Sequence, residues 1–405
     1  MGLEDLKTNL ELWNTPDFGA DFVWGMSSAV ENSTEDETTF SLESNAHSIK
    51  KDVCFYENEL KKYQQDIAFL KQTGILNFRF SLSWSKILPD GIGKINTDAI
   101  AFYHKLLDFC KENGVEPFVT LYDSCLPVAL QDKGGWSNRQ MLHWFENYTS
   151  LCAKEFKAKV NYWIIFNEPS VFTGASNFFE IYPPGKNRIN LFQSAVHHCL
   201  LSQAIAFKQL KKIIPTAEVG TFFLCNYCIP ITHSEKDIKA TERIDAFLNR
   251  LFIEPTLGLG YPITTLPFLK NISKYMMAGD NDLLQIDFDF IGLQNCSSEI
   301  VAHNPFIPYL NAKIVEYDKL RVKKNYLEHD NYQELMYQIV KKYSKYKGVK
   351  KIFINETLAP IPEDDEDVNA AAAIKKTYTI QTFLQQLLIA NQNGGKVNGY
   401  FITTV

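Results

Sequence analysis

The sequence predicts an α/β fold in which eight parallel strands close into a (β/α)8 barrel, also called a TIM barrel. Short apolar runs rich in β-branched and aromatic residues alternate with amphipathic stretches along the whole of the 405 residues. Parallel strands need helical crossovers of this kind, and closure of the sheet removes both of its edges. A doubly wound open sheet is the alternative, but no glycine-rich phosphate loop follows an early strand.

The first half of the chain supplies four strands separated by helices. The predicted strands are Phe22–Gly25, Leu76–Leu82, Val115–Tyr122 and the run from Tyr162 that ends at Asn167. The predicted helices between them are Glu59–Thr73, the stretch that Asn96 caps through Cys110, and Asn138–Lys154. Apolar residues at helical spacing and the breaks at Gly74 and Gly114 define these elements.

The second half repeats the rhythm. The predicted strands are Ala217–Leu224, Ile286–Leu293, Lys351–Asn355 and Gly399–Thr403. The predicted helices are Leu191–Ile213, Tyr332–Tyr343 and Ala370–Ala390. We therefore predict one barrel domain over residues 1–405, with an insertion at about 226–284. Because the sequence ends at Val405, directly after the eighth strand, we expect no eighth helix over the barrel seam, and an uncovered seam favours a homo-oligomer.

Composition narrows the classes of partner and compartment. The net charge of -6 gives no reason to expect nucleic acid or an anionic membrane as a partner. No window reaches 18 uninterrupted apolar residues, and the N-terminal stretch lacks the apolar run of a signal peptide. We therefore expect a cytoplasmic protein with reduced thiols. Cys225 and Cys228 form a CxxC without a second pair or a histidine partner, so neither a metal nor another cofactor is expected.

Two strands end in a carboxylate. Tyr162–Phe166 reads as a buried strand that stops at Asn167, Glu168 and Pro169, and Lys351–Ile354 stops in the same way at Asn355 and Glu356. The carboxyl ends of barrel strands surround the site where chemistry is done, so the two glutamates should face each other across the mouth.

Arg79 closes the second strand and completes a charged set at this end of the barrel. Two carboxylates in different environments can cleave a glycosidic bond, one as an ionised nucleophile and one as a proton donor. An arginine in the mouth would hold one glutamate ionised. Two alternatives remain open: exposed loop acids with a structural arginine partner, or an unrelated barrel enzyme that uses the glutamates for proton transfer or as metal ligands.

Several segments occur together in an order that is specific to one family. They are Phe22–Gly25, Phe78–Ser85, Ala129–Trp136, Asn167–Pro169, Asp289–Gly292 and Gly399–Phe401. In these segments the chain resembles glycoside hydrolase family 1, the β-glucosidase family. The resemblance implies a retaining mechanism with Glu168 as general acid/base and Glu356 as nucleophile. It also implies that Arg79 binds the nucleophile and that Asn167 binds the sugar 2-hydroxyl, with the two carboxyls about 5 Å apart.

The sequence departs from the family where the sugar would be held. Asn32 stands in place of a glutamine, and Asp123–Ser124–Cys125 in place of His-Trp-Asp. Gln294–Asn295–Cys296 replaces Asn-Tyr-Tyr, which removes the tyrosine that hydrogen-bonds the nucleophile. Thr403 replaces a tryptophan, and the sequence ends before the glutamate and tryptophan that grip the sugar 4- and 6-positions. We expect the pKa of Glu356 to rise for want of a donor, more so if Asp123 lies near.

Two functional hypotheses follow. In the first, the chain is a retaining β-glycosidase that acts on a small glycoside or oligosaccharide, has poor activity on ordinary glucosides, and reads a different glycone with Asp123, Gln294 and Asn32. In the second, it is a catalytically weakened family member that serves as a carbohydrate- or protein-binding scaffold. The retained charges favour the first hypothesis, and the altered sugar site favours the second.

Overall fold

The computed structural model describes residues 17–28, 39–40, 53–177, 189–315, 330–357 and 366–404. Eight of its strands form a closed parallel barrel. They are β1 (Val23–Ser28), β2 (Asn77–Ser81), β3 (Glu116–Tyr122), β4 (Tyr162–Asn167), β5 (Glu218–Pro230), β6 (Phe290–His303), β7 (Ile352–Thr357) and β8 (Val397–Thr404). Parallel pairing of β8 with β1, which runs in register from Val23 and Gly399, closes the ring. The predicted (β/α)8 barrel is confirmed.

Helices connect the strands and cover the outside of the barrel. The long ones are α1 (Val53–Thr73), α2 (Thr97–Glu112), α3 (Met141–Phe156), α4 (Ile189–Ile213), α5 (Glu235–Asp245), α6 (Asp330–Ser344) and α7 (Glu366–Gln392). Shorter α-helices span Trp84–Ile87, Val128–Gln131, Pro169–Asn177, Leu251–Ile253 and Asp280–Leu284, and 3-10 or π segments span Gly135–Ser137, Ala246–Arg250, Pro255–Leu257 and Pro267–Tyr275. Asn96 caps α2 through its side chain, as predicted. None of the helices in the described ranges is long and apolar enough to cross a membrane.

A cluster of large side chains, which we call the interior layer, fills the barrel interior. It consists of Phe118, Ile164, Phe222, Phe290, Phe353 and Phe401, each from a different strand. Glycines on neighbouring strands make room for these rings: a Cβ on Gly25 would lie 2.2 Å from the Phe401 ring, and one on Gly292 would lie 2.2 Å from the Phe222 ring. Because side chains alternate along a strand, this layer identifies which residues face the interior.

The boundaries of β5 and β6 differ from the prediction. β6 begins at Phe290 rather than Ile286, and both strands continue beyond the barrel, pairing as far as Pro230 and Val301. The antiparallel strand Ala312–Ile314 joins β6 on the far side of this extension. The segment between β5 and β6 therefore begins after Pro230, not at about residue 226. A second small pairing joins Thr39–Phe40 to Leu126–Pro127.

Candidate active site

An irregularity in β4 turns Asn167 into the barrel mouth. The register with β5 shifts between Ile164 and Asn167, after Ile164 has pointed into the interior layer. Phe166 instead packs outside, with its ring centroid 5.3 Å from that of Trp136 and 4.9 Å from that of Phe145. A β-bulge of this kind re-aims the residue that follows it, and here that residue is the carboxamide beside Glu168.

Glu168 itself adopts a left-handed backbone conformation. Its φ is 49°, which is uncommon for a residue other than glycine, and such strain concentrates at functional sites. Its N–H donates to the Phe222 carbonyl at 2.8 Å, and its carbonyl accepts from the Val171 N–H at 2.9 Å. Pro169 then begins a helix, where a missing N–H costs nothing. The half-buried side chain of Glu168 is thereby fixed at the carboxyl end of β4.

Arg79 lies buried at the centre of the mouth. Its Nη1 donates to Gln294 Oε1 at 2.8 Å and its Nη2 donates to Asn167 Oδ1 at 2.6 Å. Its Nε donates to Thr120 Oγ1 at 3.4 Å, and the guanidinium stacks over the Phe222 ring at 4.2 Å. These contacts orient the cation in a site where a flexible side chain would otherwise search many rotamers.

The charge of Arg79 persists despite its burial. Burial lowers the pKa of Arg79 to about 10, while the negative charges of Asp123 and Glu168 act in the opposite direction. The guanidinium is therefore protonated at neutral pH and interacts electrostatically with two carboxylates from neighbouring strand ends.

Asp123 completes the polar cluster. Its Oδ1 accepts from Asn167 Nδ2 at 2.8 Å, and its Oδ2 accepts from Ser81 Oγ at 3.0 Å. The amide of Asn167 is thus held at both ends, by Arg79 on its oxygen and by Asp123 on its nitrogen. We call Arg79, Asn167, Asp123 and Gln294 the mouth network.

Glu356 has a different orientation from Asn167 and Glu168. β7 pairs regularly with β8 from Phe353 to Thr357, without a bulge before the glutamate. Phe353 faces the interior, and Asn355, two residues on, donates to Thr403 Oγ1 at 3.0 Å and accepts from Ser27 Oγ. By alternation Glu356 lies on the opposite face of β7, in register with Ile402, which packs against the outer core.

The surroundings of Glu356 leave its carboxyl poorly satisfied. The side chain is 7% exposed, and its Oε1 has no hydrogen-bond partner among the residues that the structure describes. Burial raises the pKa of Glu356 to about 8, and hydrogen bonding from the thiol and backbone N–H of Cys296 only partly opposes this. The expected rise in the pKa is confirmed, but burial is its first cause and Asp123 is not among the causes. At neutral pH the carboxyl is mostly protonated.

A bulge in β6 brings Cys296 to this side of the sheet. Between Leu224 and Asn226 the chain of β5 advances two residues while β6 advances three, from Gln294 to Ser297. The extra residue moves Cys296 to the outer face, where it interacts with Glu356 and with the buried thiol of Cys225. Cys225 is therefore part of this thiol cluster, and both thiols are free.

The structure brings most of the predicted site residues together, but not all. The other members of the mouth network lie around Arg79, and the charge of Glu168 interacts with its guanidinium. The expected contact between Arg79 and Glu356 is wrong for this structure: within the described ranges no ion pair or hydrogen bond joins them. Arg79 donates to Gln294 instead, and the regular alternation along β7 places Glu356 on the outer face of that strand. Asn32 lies outside the described residues.

Sequence reasoning did not identify three supporting residues of the site. Thr120 and Phe222 contact the guanidinium of Arg79, and Ser27 binds Asn355 across the seam. Thr120 lies two residues after the interior Phe118, so a strict period of two along β3 would have placed it in the mouth. Nothing in the sequence marks Ser27, because its partner comes from the other end of the chain.

Comparison with known proteins agrees with this architecture. Residues 15–405 match the family described as Glycosyl hydrolase family 1. The chain belongs to glycosyl hydrolase family 1. β-Glucosidase A of Thermotoga maritima is 30% identical over 342 residues, which cover 84% of this chain and 76% of that protein. The 6-phospho-β-glucosidase GmuD of Bacillus subtilis is 28% identical over 366 residues, covering 86% and 77%. The relatives are thus glycosidases of family 1.

Solved structures of the family superpose on the whole barrel. The family 1 β-glucosidase from Thermotoga maritima has a TM-score of 0.80 at 29% identity, covering 95% of this chain and 88% of that one. A complex of the Thermotoga maritima family 1 glycoside hydrolase with a cyclophellitol analogue, a transition state mimic, has a TM-score of 0.81 at 28% identity, covering 96% and 89%. These neighbours bind sugar-like inhibitors, as does a further complex with deoxynojirimycin.

Proposed function

We propose that this family 1 protein is a retaining β-glycosidase for a small glycoside or oligosaccharide, with Glu168 as general acid/base and Glu356 as nucleophile. The observation that carries the proposal is the buried guanidinium of Arg79, held at the mouth by Asn167 and flanked by the charges of Asp123 and Glu168. A buried cation fixed by neutral acceptors beside two carboxylates is costly to maintain, which is typical of sites organised for chemistry.

The reaction requires two successive substitutions at the anomeric carbon, the first by Glu356 and the second by water. Glu356, once it has lost its proton to solvent, attacks that carbon as a carboxylate to form a glycosyl ester, while Glu168 gives its proton to the departing glycosidic oxygen. Glu168, now ionised, removes a proton from water, and the resulting hydroxide breaks the ester and regenerates Glu356. Since retention needs carboxyls about 5 Å apart, Glu356 has to leave Cys296 and turn toward the mouth before attack. We expect this step to make the enzyme slow.

The glycone would be read by groups that differ from the family pattern. Asp123 accepts two hydrogen bonds, from Asn167 and Ser81, and as a half-exposed carboxylate retains acceptor capacity for sugar hydroxyls. Gln294 and Asn32 are the other residues that we propose for specificity. The negative charge of Asp123 would disfavour a glycone that carries an anionic group.

One observation favours a second candidate function, a sugar-binding protein with little turnover. Glu356 is buried and mostly protonated, one of its oxygens lacks a partner, and its strand is held by the bonds of Asn355 to Ser27 and Thr403. A neutral carboxylic acid is a poor nucleophile, so a protein that never released this arrangement would bind glycosides without cleaving them.

Covalent trapping distinguishes the two functions. We would incubate the protein with 2-deoxy-2-fluoro-glycosides that carry good leaving groups, at pH values on both sides of 8, and locate any adduct by peptide mass spectrometry. An adduct on Glu356, absent from Glu356→Gln, supports the glycosidase. Binding of deoxynojirimycin by calorimetry without any adduct across the panel would support the binding protein, and an adduct on another carboxylate would contradict the assigned nucleophile.

A further inference from the structure

Gln294 stands between Arg79 and the strand that carries Glu356. On β6 it lies in register with Asn355 of β7, the residue directly before Glu356. Its side chain is only 8% exposed, and its Oε1 accepts from Arg79 Nη1 at 2.8 Å. On this side of the mouth the guanidinium of Arg79 therefore binds the carboxamide of Gln294, and not the carboxyl of Glu356 on the neighbouring strand.

The bonding of the two buried charged groups is mismatched. Within the described residues, the three hydrogen bonds of Arg79 go to neutral oxygens, those of Thr120, Gln294 and Asn167. Glu356, at the same end of the barrel, has a buried Oε1 that finds no partner in this part of the chain. A buried guanidinium and a buried carboxylate satisfy each other better than either is satisfied alone, because each lowers the cost of keeping the other charged.

No other group in the described residues offers a cation to Glu356. The titratable groups that face it are Cys296 on β6 and Tyr400 on β8, with Cys225 on β5 and Tyr343 on α6 behind the thiol. Burial raises the pKa of Tyr400 well above its usual value, and the Cys225 thiol and burial do the same for Cys296. Tyr400 and Cys296 are therefore neutral near pH 7 and cannot stabilise a carboxylate by charge.

We propose that Gln294 is a positioning residue that competes with Glu356 for the guanidinium of Arg79 and thereby sets whether the glutamate is ionised and turned toward the mouth. Arg79 can serve as counterion to Glu356 only when the Gln294 carboxamide withdraws from Nη1. The attack of Glu356 on a glycoside rests on the proposed function. The competition for Arg79 does not rest on it, and the pH dependence of the unfolding free energy tests that competition separately.

Two substitutions at position 294 drive the competition in opposite directions. Gln294→Asn shortens the side chain by one methylene and withdraws its oxygen from Nη1, so the guanidinium becomes available to Glu356. Gln294→Glu keeps the length, binds Arg79 with a charge-assisted bond and adds a negative charge near Glu356. Gln193→Asn is the matched control, since Gln193 is also buried and donates to the Phe268 carbonyl at 2.7 Å, on α4 and outside the mouth network.

The first readout is the ionisation midpoint of Glu356 in the folded protein, which is the pH at which its declining contribution to the unfolding free energy levels off. It is obtained by subtracting the urea curves of matched Glu356→Gln proteins. We expect this midpoint near pH 8 in wild type. We expect it to fall by about 1 to 3 pH units in Gln294→Asn, to rise in Gln294→Glu, and to stay in place in Gln193→Asn. Equal midpoints in the two position-294 variants, or shifts in the same direction, would overturn the inference.

The second readout is the rate of covalent trapping at pH 7. We expect Gln294→Asn to be trapped roughly tenfold faster than wild type, because the ionised fraction of Glu356 rises from about a tenth to most of the population. If no variant forms an adduct while the midpoints still move in opposite directions, the proposed glycosidase function fails and the competition stands. If Gln294→Asn does not fold, the isosteric Gln294→Glu alone decides, and an unchanged or lowered midpoint overturns the inference.

Discussion

The ends of β4 and β7 carry the same dipeptide in different surroundings. β4 ends in Asn167 and Glu168, and β7 ends in Asn355 and Glu356. The register of β4 shifts before its asparagine, which then binds Arg79, whereas β7 pairs regularly with β8 to its end. The same residues therefore meet a charged network in one case and a buried, largely neutral site in the other. The ladder, and not the dipeptide, decides where a strand-end carboxyl points.

The two ends also differ in how completely their polar atoms are paired. At the end of β4 both amide atoms of Asn167 are hydrogen-bonded, and Arg79 carries a full charge nearby. At the end of β7 the Oε1 of Glu356 is unpaired among the described residues, and the donors to its carboxyl belong to Cys296. If the proposed function holds, the β4 end is already placed for proton transfer, while the β7 end needs a rearrangement before it can supply a nucleophile.

The largest effect that we expect is the loss of kcat/KM when Glu168, the proposed general acid at the end of β4, is replaced. Glu168→Gln should lower kcat/KM for a glycoside with a poor leaving group by about 10²- to 10⁴-fold, because no proton reaches the departing oxygen. A dinitrophenyl glycoside, whose leaving group needs no proton, serves as the control and should be trapped at close to the wild-type rate. Equal losses of activity on both substrates would show that Glu168 is not the general acid.

The second-largest effect that we expect is the loss of stability when the guanidinium of Arg79 is removed. Arg79→Ala leaves Asn167 and Gln294 without their donor and Asp123 without a nearby positive charge, so the unfolding free energy should fall by about 3 to 5 kcal/mol. Urea denaturation at pH 7 measures this. Thr97→Ala, at the first residue of α2 outside the mouth, gives the scale of a substitution away from it. A loss from Arg79→Ala below that scale would show that the mouth network does not depend on the guanidinium.

The unpaired end should have a signature in the pH dependence of stability. The pKa of Glu356 is about 8 in the folded chain against 4.5 for the unfolded group, so the folded state holds the proton more tightly. Its stabilising contribution is complete below pH 4.5 and is lost as the pH rises through 8. Glu356→Gln should remove that decline, a difference on the order of 2 to 5 kcal/mol.

The low-pH side of the same curve provides an internal check. Burial lowers the pKa of His198 to about 4, so its stabilising contribution is present above its unfolded pKa and is lost as the pH falls through 4. Below pH 4.5 Glu356 is protonated in both states, so Glu356→Gln should leave the lower part of this acid limb unchanged. A variant that altered stability there as well would have changed more than one group.

A smaller loss should follow from weakening the anion in the mouth network. Asp123→Asn keeps the shape but removes the charge that accepts from Asn167 and Ser81, so kcat/KM should fall by about 10- to 100-fold. Inhibitor calorimetry would show whether the loss lies in binding. Ser124→Ala, at the adjacent position, is the control. If Asp123→Asn bound and cleaved glycosides as wild type does, Asp123 would have no role in reading the glycone.

The smallest effect concerns the bonds that hold β7. Thr403→Val removes the oxygen that accepts from Asn355 Nδ2 and should cost about 1 to 2 kcal/mol of unfolding free energy. Because that bond fixes the face of β7 opposite to Glu356, trapping should become faster, not slower. Slower trapping at unchanged stability would mean that the bond supports the nucleophile instead of restraining it.

Much of this protein can be predicted from its sequence alone. Apolar runs and capping signals predict all eight barrel strands and six of the seven long helices of the described residues, with most boundaries within a few residues. The helix α5 (Glu235–Asp245) lies in the stretch that the sequence predicts only as an insertion. The strand-end acids and Arg79 identify the mouth, because parallel strands in a barrel bring their carboxyl ends to one rim. The sequence also predicts the direction in which the pKa of Glu356 shifts, but it attributes the rise to a lost tyrosine donor, whereas burial is the first cause.

Only the tertiary structure decides which of these groups meet. Whether Arg79 reaches Glu356 or Gln294 depends on a bulge in β4, a bulge in β6 and the lack of one at the end of β7. A bulge is one residue of extra backbone that is fixed by the packing of both neighbouring strands, and local sequence does not encode it. The bond between Ser27 and Asn355 likewise joins residues from opposite ends of the chain. Such contacts exist only after barrel closure, so no local pattern predicts them.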